Sequence, residues 1–233
     1  MRHIAVIGAS GAIGQAFVEN YNDQPNTFVH AFSRKKISDE GNIKYYQVDF
    51  LADDRLSNAL DLAIRLDKVI IATGILQDNH VSPEKKYQEL EQAQLQHYFT
   101  VNTIMPILAA KQFVPYLRRE MPSVMAFLSA RVGSISDNRL GGWYGYRASK
   151  SALNMLIKTL SIEIKRTHAE AILVGLHPGT VDSALSKPFQ KNIPGRQLFS
   201  PDQSVNYLTK VIESLQQSDS GKVIDWAGEV IDF

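Results

Sequence analysis

The sequence contains no cysteine. That excludes disulfides, thiolate nucleophiles and cysteine metal sites, and it leaves the redox compartment open. A surplus of one charge is also missing: 25 Lys and Arg stand against 24 Asp and Glu, a net of +1. So balanced a chain offers no broad electrostatic footprint for nucleic acid. No apolar run approaches the ~20 residues of a membrane span. Met1-Arg2-His3 runs straight into strand-like sequence, without the layout of a signal peptide. The six histidines show no ligand spacing, which argues against a metal hydrolase. Low-complexity segments and fixed-period repeats are absent too. What is present is an ordinary globular composition, 44% hydrophobic and 21% charged over 233 residues. That suffices for one good core and one expected domain, 1–233. A cytoplasmic enzyme with no nucleic-acid or membrane partner is the simplest class.

Strand-like and helix-like segments alternate along the chain. His3 to Ile7 is short and apolar, and Gly8-Ala9-Ser10-Gly11-Ala12-Ile13-Gly14 follows it, with helical sequence beyond. Strand, glycine-rich turn and helix form the context of a dinucleotide site: the turn admits a pyrophosphate and the helix N-terminus offers it free N–H groups. Thr27 to Phe32 reads as a second strand, ending in Ser33-Arg34-Lys35-Lys36. An acid near this place would hold a ribose 2′-hydroxyl, whereas Ser33 and Arg34 could bind a 2′-phosphate, so NADP is favoured over NAD. The bland alternative is a solvated basic turn. Ile43 to Val48 gives a third strand before Asp49-Phe50. Leu56, Leu60, Ala63, Ile64 and Leu66 give a helical stripe. Lys68 to Ala72 is a fourth, buried strand, closing in the small residues Ala72-Thr73-Gly74 where a cofactor could lie against backbone.

A long helix is expected from about Glu89 to Leu117, with Pro106 and Pro115 as kink points. Asn102 sits inside it among apolar neighbours, either as a buried residue bonded to backbone or as a polar relay beside an active site. Val124 to Leu128 and Ala171 to Leu176 read as strands five and six, and Lys222 to Trp226 as the last. Asp182 to Phe199, with two prolines and few core-like positions, is a candidate substrate lid. Ser200 and Pro201 are a plausible N-cap and first turn of one more helix. The pattern predicts an α/β, doubly wound Rossmann-type domain: a parallel sheet of about seven strands with helices on both faces.

Within this frame, Tyr146-Arg147-Ala148-Ser149-Lys150 stands out. Residues four apart share one helix face, so Tyr146 and Lys150 would point the same way. A nearby ammonium can bring a phenol's pKa towards neutrality, which would make Tyr146 a proton donor to a carbonyl oxygen.

Taken together these motifs resemble the short-chain dehydrogenase/reductase family over nearly the whole length. Gly8, Ala12 and Gly14 resemble its glycine pattern, with Ile7 in place of the usual threonine. Ala72-Thr73-Gly74 matches its N-A-G triplet in part. Asn102 falls at its active-site asparagine, and Tyr146 and Lys150 at its catalytic pair. Pro178-Gly179-Thr180-Val181 is similar to the segment that touches the nicotinamide carboxamide. Gly133-Ser134-Ile135, Gly141-Gly142 and Asp225-Trp226 look like the C-factor and sniffer-type carbonyl reductases. The resemblance implies an NADPH-dependent reductase of a small carbonyl compound, homodimeric or homotetrameric. Tyr146 would protonate the oxygen, Lys150 would hold the nicotinamide ribose, and Asn102 would help hold a water chain. Gly8, Ser10, Gly11, Ala12, Ile13, Gly14, Asp49, Phe50, Ala72, Thr73 and Gly74 would join Ser33 and Arg34 around the cofactor. One departure stands out. The family's catalytic serine is the second of a Ser-Ser pair, and here the pair reads Ser129-Ala130. Ser129 is the favoured substitute, Ser134 the second choice, and Tyr146 acting alone the third. The competing reading of the whole chain is a non-catalytic dinucleotide-binding sensor or signalling protein on the same fold.

Overall fold

The computed structural model describes residues 1–52, 60, 61, 63–183, 186, 187, 190 and 198–233. Its centre is an eight-stranded sheet in the order β10-β9-β6-β5-β4-β1-β2-β3. The strands are β1 (Arg2–Ile7), β2 (Thr27–Ser33), β3 (Ile43–Gln47), β4 (Lys68–Ile71), β5 (Ser123–Leu128), β6 (Ala171–His177), β9 (Val223–Asp225) and β10 (Val230–Ile231). All neighbours run parallel except β10, which is antiparallel to β9 and adds an edge beyond the seven strands expected. A separate parallel pair joins β7 (Thr180–Val181) to β8 (Leu198–Phe199).

Alternation along the strands builds two cores. Ile4 and Val6 face one side with Ile70, Ala126 and Val174, under Phe17 and Tyr21 of α1 (Ala12–Asn22). Ala5 and Ile7 face the other with Val69, Ile71, Met125 and Phe127. Successive side chains on a strand point to opposite faces, so a strand covered on both sides is buried along its whole length. β4 and β5 accordingly have no exposed residue. The order reverses at β1, whose neighbours are β2 and β4. In open α/β sheets such a reversal leaves a crevice beyond the strands' C-terminal ends.

The long helix expected from Glu89 to Leu117 is divided into α2 (Gln92–Phe99), a π-helical turn (Thr100–Ile104), α3 (Met105–Phe113) and a 3₁₀ turn (Val114–Tyr116). Proline supplies the reason: Pro106 lacks an N–H and its ring crowds the carbonyl four residues back, so the ladder widens just before it. Asn102 lies in the widened turn. Among the described residues the remaining α-helices are α4 (Tyr144–Ile164) and α5 (Pro201–Ser214). α5 begins with Ser200 and Gln203 in a reciprocal capping box. The stripe expected from Leu56 lies partly, and the lid expected over 182–199 mostly, outside the described residues. Among the described residues no helix is long and apolar enough to cross a membrane.

Candidate active site

The glycine turn sits at the crevice. Gly8 adopts a φ of +85°, and a Cβ there would lie 2.8 Å from the Ala72 carbonyl oxygen. Only glycine lets β1 pass so close to the end of β4. A Cβ on Gly14 would meet the Gly8 oxygen at 2.1 Å, so α1 rests directly on the turn. The N-terminus of α1 has no side-chain cap and no acid in its first turn. Its free N–H groups and dipole are therefore available to an anion.

Two hollows open from this turn and share Gly11, Ala72, Thr73, Gly74 and Ile75, so they form one cleft. The smaller, ≈ 210 Å³, is lined by Gly8, Ser10, Ser33, Arg34, Asp49 and Phe50 among others. The Ser33 hydroxyl donates to the Lys35 carbonyl at 2.6 Å, which leaves the exposed Arg34 guanidinium as the cation at this end. Asp49 accepts from the Leu51 N–H at 3.0 Å. The Thr73 hydroxyl is buried without a hydrogen-bond partner at the junction of the two hollows.

The larger hollow, ≈ 810 Å³, contains Ala12, Ile13, Ser129, Tyr146, Lys150, Pro178, Gly179, Thr180 and Val181. Tyr146 and Lys150 are thus brought to one wall, as their spacing on α4 requires. Lys150 Nζ donates to the Leu128 carbonyl at 2.9 Å and is buried. Burial disfavours charge in both groups. It pushes the Tyr146 phenol up to about 12 and the Lys150 ammonium down to about 8. The lowering of the phenol expected from Lys150 is therefore not seen: desolvation dominates.

Asn102 is fully buried and lines neither hollow. Its Oδ1 accepts from the Ile75 N–H at 2.8 Å, and its Nδ2 donates to the Ile75 carbonyl at 2.9 Å and to Ser149 Oγ at 3.2 Å. It pins the backbone just after Gly74 to α4. Gly14, likewise, supports the turn rather than lining the cleft. Ser129 reaches the larger hollow, next to Ala130, and donates to Asn154 Oδ1 at 2.6 Å. Ser134 is outside both hollows and is used by its own loop, bonding Ser136 and the Asp137 N–H.

A family model, the short chain dehydrogenase, matches residues 2–194. The chain belongs to this family. It is an oxidoreductase of the NAD(P)-dependent kind that acts on CH–OH or C=O groups. The C-signal protein of Myxococcus xanthus is 31% identical over 140 residues, 60% of this chain and 79% of that one. The NADPH-bound carbonyl reductase from chicken fatty liver superposes with a TM-score of 0.82 at 24% identity, covering 100% of this chain and 99% of its own. The carbonyl reductase Sniffer of D. melanogaster reaches 0.84 at 20% identity, covering 100% of both chains.

A dinucleotide fits this member of the family on its own geometry: the uncapped N-terminus of α1 stands at the turn, Gly8 carries no Cβ, and Thr73, whose buried hydroxyl has no hydrogen-bond partner, lines both hollows. Three features of the site went unread in the sequence. His177, at the end of β6, lines the larger hollow with Nδ1 buried and unpartnered, and burial lowers its pKa to about 4. Arg131 pairs with the buried Asp225 at 2.7 Å. Trp143 takes a left-handed φ of 53° and sets its ring edge-on to Tyr146, centroids 6.2 Å apart. No sequence pattern announces a tryptophan in that conformation, which usually costs ~1–3 kcal/mol and persists at functional sites.

Proposed function

We propose that the chain reduces a small carbonyl compound with NADPH. The observation that carries the reading is the placement of Tyr146 and Lys150 on one wall of a cleft that continues to the glycine turn and Arg34. The Gly8–Gly14 turn and the start of α1 would hold the pyrophosphate, with Asp49 and Phe50 flanking the smaller hollow and Arg34 taking the 2′-phosphate. Lys150 would hold the nicotinamide ribose, and Pro178 to Val181 the carboxamide. NADPH, when bound, supplies a hydride to the carbonyl carbon.

The chain's own residues do the rest. Tyr146 is protonated at neutral pH, with a pKa near 12. It gives its proton to the carbonyl oxygen, which completes the alcohol. The Lys150 ammonium stabilises the phenolate left behind. Ser129 holds the oxygen once its hydroxyl turns away from Asn154, a one-torsion exchange of hydrogen bonds worth ~1 kcal/mol net. Asn102 keeps the Ile75 backbone and α4 in register.

A specific observation favours a second reading. Ala130 stands where the family carries its serine, as it could in a dinucleotide-binding sensor. One screen separates the two. NADPH is incubated with panels of aldehydes, ketones and quinones, and loss of nicotinamide absorbance is followed. Turnover of any carbonyl supports the reductase. Tight NADPH binding without turnover across the panel would assign the sensor.

A further inference from the structure

We propose that Glu84 is the positioning residue for Tyr146: it caps the helix that carries the tyrosine, from a loop sixty residues upstream. This rests on the reading of Tyr146 as the proton donor. α4 needs such help. Its first turn has no side-chain cap of its own and no acid, unlike α5 with its capping box. It also leaves a run of left-handed backbone at Gly141, Gly142 and Trp143, which fixes no entry angle by local preference.

Glu84 meets both needs. Its backbone carbonyl accepts from the Trp143 N–H, at the cap position. Its side-chain Oε2 accepts from the Gly145 N–H at 3.2 Å. A cap side chain ordinarily bonds the second or third amide of its own helix, and Gly145 is the second residue of α4. A carboxylate there also faces the positive end of the helix dipole. Glu84 is 1% exposed, and its other oxygen, Oε1, is buried without a hydrogen-bond partner. A half-satisfied buried carboxylate is costly, and the contact it gains is with the turn that bears Tyr146.

The fit is close from the opposite side as well. A Cβ on Gly145 would fall 3.0 Å from Glu84 Oε1 and 2.5 Å from Tyr98 Cδ2. Tyr98 is itself fixed by a hydrogen bond from its hydroxyl to the Leu76 carbonyl, 2.7 Å, and its ring centroid is 6.2 Å from that of Tyr146. The first turn of α4 is thus gripped between Glu84 and Tyr98, one residue before Tyr146. Loosening the grip moves the proton donor without touching the cofactor's turn at Gly8.

The test uses the full chain with NADPH and a carbonyl that the wild type reduces. In Glu84→Ala, kcat should fall ~10–100-fold, the scale of a ~1 Å misplacement, while KM and NADPH affinity stay within about threefold. Hydrogen exchange at the Gly145 amide should speed up. Glu84→Gln keeps an acceptor oxygen and should recover kcat to within about threefold of wild type, with exchange restored. Should Glu84→Ala fail to fold, Glu84→Met keeps the volume without the acceptor and is read in the same way. The proposal is overturned by wild-type kcat with unchanged Gly145 exchange. It is also overturned by a kcat loss matched by an equal loss of NADPH affinity and not recovered in Glu84→Gln, which is the mark of general fold support. If the wild type reduces no carbonyl, the reductase reading fails, and Gly145 exchange alone still decides whether Glu84 holds the turn.

Discussion

At the scale of single residues, the proposed reading gives proton donation to Tyr146 and oxygen holding to Ser129. Tyr146→Phe keeps the ring against Trp143 and Tyr98 and removes only the hydroxyl. Turnover should fall ~10²–10⁴-fold, the usual worth of a general acid, with NADPH binding preserved. Retention of a tenth of wild-type turnover would remove Tyr146 from that role. Ser129→Ala should cost ~10²-fold, at the low end for an oxyanion donor because its proton first leaves Asn154. Ser134→Ala should be near normal, since Ser134 serves its own loop. The reverse ranking of the two serines would reassign the hydroxyl. Lys150 gives a pH dependence. Burial lowers its pKa to about 8, so the ammonium is present below that pH and lost above it. Its loss leaves the Tyr146 phenolate without a counter-charge. With NADPH saturating, kcat should decline as pH rises through about 8, and a level profile from about 6 to 10 would show that the charge on Lys150 is not used.

At the scale of elements, α1 rests on the first turn with no room for a Cβ at Gly14. Gly14→Ala would place a Cβ 2.1 Å from the Gly8 carbonyl oxygen, and backbone rather than a flexible side chain is what must give way. The helix would shift off the turn. Stability to denaturant should fall by ~1–3 kcal/mol, the range for overpacking, together with NADPH affinity. An unchanged unfolding midpoint would show that the packing is looser than drawn. The α2–α3 element shows how much of a helix can be read in advance. Its length and its break at Pro106 follow from composition. The form of the break, a π turn that lets Asn102 reach Ile75 and Ser149, depends on what those residues meet across the fold.

At the scale of the molecule, the reversal of strand order at β1 places the glycine turn, the end of β2 and the α4 pair on one crevice. Cofactor choice belongs here, because Arg34 discriminates only if the same dinucleotide also reaches Tyr146. Wild type should bind NADPH more tightly than NADH. Arg34→Ala should weaken NADPH ~10–100-fold, the worth of a charge-assisted phosphate contact, and leave NADH nearly unchanged. Equal affinity of the wild type for both would remove Arg34 from the cofactor site. Much of this was legible beforehand. Strand alternation, the Gly8–Gly14 turn and the Tyr146/Lys150 spacing are local, and a period of two or of four residues fixes a face wherever the element lies. By itself the sequence therefore determined the doubly wound fold, the strand ends that meet at the cleft and the placement of Tyr146 and Lys150 on one wall of it. Only the tertiary structure decided which of the two serines reaches the cleft, that burial raises the Tyr146 phenol, and that Glu84 meets the helix start. Those outcomes depend on burial and on partners tens of residues away, which no local period records.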